Sequence, residues 1–97
     1  MIPGLISKLS ETVIASATTI APDPPADILR VTGTTTIATI VAPYGGQSSL
    51  LFLVPLDGGV ATTTTGNIAA AVTMPQNKVT VLTYSKTTGK WYPNISA

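Results

Sequence analysis

The sequence contains no cysteine and no histidine. The first absence excludes a disulfide framework. The two together exclude a Cys/His metal site and remove the commonest general base and the commonest soft nucleophile. Charge is scarce as well: five Lys/Arg and four Asp/Glu make up 9% of 97 residues, against about a quarter in an ordinary soluble domain. The net charge is +1, and Lys8, Arg30, Lys78, Lys86 and Lys90 are scattered. That distribution offers no basic stripe, so no nucleic-acid partner is expected. No apolar run approaches the ~20 residues of a membrane-spanning helix. The longest, LLFLVPL at 50–56, contains Pro55 and is strand-sized, so no membrane partner is expected. A secretory leader is not expected either: the N-terminus has no early basic region, and Lys8 and Glu11 interrupt its apolar residues.

Carboxylates are too few for most hydrolytic chemistry. Asp23 and Asp27 sit in the extended stretch DPPAD, and Asp57 precedes Gly58-Gly59. Acids beside prolines and glycines read as turn residues, with a calcium site the competing reading for the DPPAD pair. The Ser85-Lys86 neighbours point to opposite faces of a strand, which makes a poor catalytic dyad. No phosphate-cradling glycine motif is present. The expectation is a protein that is not an enzyme and carries no cofactor and no metal.

What the chain has in quantity is Thr, Val, Ile and Ala, with eight Gly and eight Pro as punctuation. The β-branched residues favour the pleated strand, and turn residues recur at short spacing. The pattern predicts a small all-β domain, a sandwich or a barrel-like closure, with residues 1–27 forming an extended N-terminal arm and Pro-rich linker and 28–97 forming the β domain. Strands are expected at TVIAS (12–16), ILRVT (28–32), TTIATIV (35–41), SLLFLVP (49–55), GVATTT (59–64), NIAAAV (67–72), KVTVLTYS (78–85) and GKWYP (89–93). The second and third of these are read as a hairpin turning at Thr32-Gly33-Thr34. SLLFLVP is read as buried on both faces. KVTVLTYS shifts from Val79 and Val81 to Leu82 and Tyr84, which implies a bulge or two buried faces. GKWYP closes a hairpin across KTTG, with Gly89 at its left-handed position.

Two segments invite a functional reading. Ile2, Leu5, Ile6 and Leu9 recur at helical spacing, but Pro3 and Gly4 oppose a helix. They either cap the chain's own core or lie on a partner as an arm. Thr62, Thr63, Thr64 and Thr65 followed by Gly66-Asn67 and the small Ala69, Ala70 and Ala71 describe either an exposed edge or a subunit contact. Trp91 and Tyr92 are the only adjacent large aromatics, suited to the core or to an aromatic contact such as sugar stacking.

The segments GTTTIATIVAPYGG (33–46), SLLFLVPLDGGVATTTTGNIAAAV (49–72) and KVTVLTYSKTTGKWYP (78–93), in that order, resemble the small β-rich virion proteins of tailed phages. The resemblance covers about residues 28–95 and rests on the threonine run with GNIA and on KWYP taken together. It implies a β-tulip-like domain in a capsid decoration (cement) protein. Such a protein would be a homotrimer on the outside of the phage head, with the major capsid protein as partner. Ile2, Leu5, Ile6 and Leu9 would be its capsid-binding arm, and the Thr62–Thr65 and Ala69–Ala71 stretch its subunit interface. The alternative is a trimeric head- or tail-fibre tip that binds a receptor or glycan through Trp91, Tyr92 and Tyr44. The start at Met1 and the lack of a shaft segment favour the free-standing decoration protein.

Overall fold

The computed structural model describes residues 10–21, 27–42 and 48–94. Among them the fold is all-β, with nine strands and no helix. Five strands build one mixed sheet: β1 (Glu11–Ala15), β3 (Ile28–Thr32), β5 (Ser49–Pro55), β8 (Thr80–Ser85) and β9 (Lys90–Pro93), in that spatial order. Two smaller sheets pair β2 (Thr19–Ile20) with β4 (Thr39–Ile40), and β6 (Val60–Ala61) with β7 (Thr73–Met74).

The pairing order differs from the expected run of hairpins. β1, β3 and β5 are parallel neighbours, with Glu11, Ile28 and Phe52 in one row. β2 and β4 are parallel too, and Ile37 bridges Thr62 in the same sense. The chain therefore runs three times from the large sheet across to the far side, and each pass stacks on the one before. Parallel neighbours need a long crossover, and the stretches between β1 and β3 and between β3 and β5 are long enough to provide it. The hairpin expected at Thr32-Gly33-Thr34 is absent. Gly33 does adopt positive φ (73°), but its N–H donates to Asp57 Oδ2 at 2.6 Å. The chain thus leaves the sheet there and is tied to the corresponding exit after β5.

Antiparallel pairing begins at β5 and includes the β6–β7 pair. β5 pairs β8, and β8 pairs β9 around the expected loop, with Gly89 at φ 68°. The registers of β8 run unbroken on both sides, so the expected bulge is not there. Thr80, Leu82 and Tyr84 point inward and Val79 and Val81 outward; a threonine occupies the inward position that the valines seemed to claim. β5 is the central strand, yet only one of its faces is fully interior: Leu51 and Leu53 are buried while Leu50 is exposed. Of GVATTT only Val60–Ala61 is strand, and NIAAAV is irregular apart from the Ile68–Trp91 bridge.

Inward rows from all three sheets meet in one core. Ile20 and Ile40 stack across the β2–β4 pair, Leu29 lies beside Leu53, and Val60, Ile68, Met74, Leu82 and Trp91 join the same cluster. Residues 11–15 and 19–20, which the sequence reading puts in the arm and linker, are strands woven into these sheets. Ile14 and Ala17 pack against the core. Ser10 and Asp27 clasp the entries to β1 and β3: the Ser10 N–H and hydroxyl donate to Asp27 Oδ2 at 3.1 and 3.2 Å.

Candidate functional site

The outward face of the five-stranded sheet follows from strand alternation. Glu11, Val13 and Ala15 lie on β1, Ile28, Arg30 and Thr32 on β3, Leu50, Phe52 and the buried Val54 on β5, Val81, Thr83 and Ser85 on β8, and Lys90 and Tyr92 on β9. Registers align these into rows: Glu11–Ile28–Phe52–Val81, Val13–Arg30–Val54, and Leu50–Thr83–Tyr92. Val13 is 57% exposed and Leu50 54%. Val79, at the entry to β8, is 58% exposed. Four of the five large apolar side chains that are exposed among the described residues thus belong to this face or its margin; Val41 is the fifth. The two ions in the rows of β1 and β3 cancel, because Arg30 Nε donates to Glu11 Oε2 at 2.5 Å. The face is therefore apolar at its centre and neutral at its β1 side. Partner-binding surfaces have this character more often than idle ones.

The threonine run resolves into one structural and three surface residues. Thr62 is buried; its hydroxyl donates to the Ala70 carbonyl at 2.9 Å and accepts the Val72 N–H at 3.0 Å. Thr63 is half-buried and bonded to Thr65, while Thr64 and Thr65 are exposed in the bend that follows. Ala69 and Ala70 are half-buried and Ala71 is exposed. The small residues admit a close approach, but from the chain itself: a Cβ on Gly66 would collide with the Ala38 carbonyl and Thr39 Oγ1.

Asn67 carries a role that sequence reading missed. Its side-chain amide pairs with the backbone of Ile40 as a strand would, accepting the Ile40 N–H at 2.9 Å and donating to the Ile40 carbonyl. Its own carbonyl accepts the Trp91 N–H at 2.8 Å. The Gly66-Asn67 pair reads locally as a turn, and its partner is 27 residues away; no local signal identifies it. Trp91 is 3% exposed, tilted against Tyr84 at 5.1 Å between centroids, and its indole N–H donates to the same Ile40 carbonyl. The indole ring is thus interior, and Tyr92 on the other face is the exposed member of the pair. Tyr44, Asp23, Ile2, Leu5, Ile6 and Leu9 lie outside the described residues.

An open groove of about 600 Å³ runs past β7, where Met74, Lys78, Val79 and Asn94 line it. The described residues contain no group of three acids that could hold a metal ion. Among the described residues there is no helix long and apolar enough to cross a membrane. Comparison with protein-family models, curated proteins and solved structures finds no match for this chain.

Proposed function

We propose that this chain is a structural virion protein that binds the outside of an icosahedral phage head as a homotrimer and reinforces the shell. The observation that carries the reading is the outward face of the five-stranded sheet, apolar at its centre and with its β1-side ions paired, on a chain with so few ions. The resemblance of 33–46, 49–72 and 78–93 to small virion proteins supplies the setting. At about 25 cal/mol per Å², roughly 300 Å² of apolar surface covered per subunit contributes about 7 kcal/mol before association costs. Three subunits held together act at high effective concentration, so modest contacts give full occupancy. Pressure from packed DNA is then opposed by added contacts and no chemistry is required. The fibre-tip reading loses one of its stacking platforms, since Trp91 faces the core.

The test mixes purified protein with expanded, undecorated capsids and images the particles. Density for three copies at each local three-fold position is expected. Removing residues 1–9, and no further because Glu11 begins β1, is expected to abolish shell binding and leave the β domain folded. Bare capsids at saturating protein overturn the proposal.

A further inference from the structure

The large sheet closes one of its edges and leaves the other open. At the β9 edge, the Trp91 N–H donates to Asn67 and the Trp91 carbonyl accepts the Ala69 N–H, both at 2.8 Å. The β1 edge has no such cover among the described residues. In a parallel pair, alternate residues turn both N–H and C=O to the same neighbour. The Ser10 carbonyl and the Ser16 N–H face β3, so Thr12 and Ile14 face it as well. Glu11, Val13 and Ala15 therefore aim three donors and three acceptors away from the sheet.

Exposed edges are ordinarily blunted by lysine, proline, a bulge or an inward charge. β1 has none of these: its one ion, Glu11, is held sideways by Arg30, and the strand is continuous and in register. We infer that β1 is a self-pairing edge, at which a second copy of this chain docks antiparallel about a two-fold axis through Val13 and joins two five-stranded sheets into one.

The strand's own sequence argues for a copy of itself as occupant. With Val13 opposite Val13, Glu11 falls opposite Ala15 and Thr12 opposite Ile14. All three outward residues become hydrogen-bonded pairs, so every open donor and acceptor on both copies is used. β-branched side chains meet at the centre, a favourable cross-strand combination. The two Glu11 carboxylates stay at opposite ends, each with its Arg30. Sliding the register toward Glu11 brings the like charges together and leaves Ala15 unpaired. The outward rows continue across the seam, which doubles the face.

This inference stands apart from the shell-binding reading, because it concerns the sheet edge and needs no capsid. The experiment is sedimentation equilibrium of the full chain over a wide concentration range, with amide exchange followed at Glu11, Val13 and Ala15. Dimer formation is expected, with exchange at those amides slowing as concentration rises. Val13→Lys sets two ammonium groups face to face at the axis while each side chain remains free to reach solvent in the monomer. It should raise the dimer dissociation constant at least tenfold. Val79→Lys, at the far margin, should leave that constant unchanged, and Trp91 fluorescence checks that both variants are folded. A chain that is monomeric throughout overturns the inference, as does an assembly indifferent to Val13→Lys. So does concentration-independent protection of Val13, which would assign the edge to the chain's own residues 1–9. Loss of shell binding with the Val13-dependent dimer intact would instead remove the proposed function.

Discussion

Four identical residues in a row show how little a residue's type says about its role. Thr62 is an interior bracket whose hydroxyl completes the backbone bonding of Ala70 and Val72, where no regular strand serves them. Thr64, two positions on, is exposed in a bend. Replacing either by valine keeps shape and β-propensity and removes only the hydroxyl. Thr62→Val is expected to cost about 1–2 kcal/mol, because it leaves a half-buried N–H and carbonyl without a partner. Thr64→Val is expected to stay within about 0.5 kcal/mol of the parent. Urea midpoints at constant m-value measure both; equal effects would mean that the Thr62 hydroxyl does not carry the bracket. The sequence announced that threonines matter here, but which one is interior depends on Ala70 and Val72 folding back over it.

Between elements, one side chain stands in for a strand. β4 has β2 on one side, and Asn67 provides the facing amide on the other, joining β4 to β9 through Trp91. Asn67→Asp keeps an acceptor for the Ile40 N–H but loses the donor and sets a carboxylate against the Ile40 carbonyl. A loss of about 1–3 kcal/mol is expected near neutral pH. Protonation restores a donor, so the folded state favours the protonated carboxyl and raises its pKa above the unfolded value. The deficit should therefore shrink as pH falls toward about 4 and below. A deficit that is constant between neutral and acid pH would argue against the amide pairing. The strands themselves were largely legible: β1, β3, β5, β8 and β9 lie where β-branched and apolar runs sit between turn residues, and Gly89 marks its loop. Their partners were not. Strand propensity is a local property, whereas the parallel order of β1, β3 and β5 is decided by which inward rows stack, Leu29 on Leu53 and Val31 beside Pro55. A hairpin reading of Gly33 satisfied every local rule and was still overturned by that stacking.

At the scale of the molecule, the scarcity of charge becomes a distribution. Among the described residues, inward rows bury most of the large aliphatics, and the exposed large apolar side chains other than Val41 lie on or beside one side of one sheet. That concentration is what the proposed docking on a shell rests on. Lysine at Leu50 or Val79 leaves the inward rows untouched, and both side chains are already more than half exposed. Stability of Leu50→Lys and Val79→Lys is thus expected to change by no more than about 0.5 kcal/mol. If the face seats on a capsid shell, each lysine must be desolvated or left at a gap. Occupancy should then fall at least tenfold per substitution, equivalent to about 1.4 kcal/mol per site. Counting decorated positions on expanded capsids against protein concentration reads this directly, with urea midpoints as the control for folding. Undiminished occupancy for both lysine variants would move the contact off this sheet face, and the shell would then have to be held by another part of the chain.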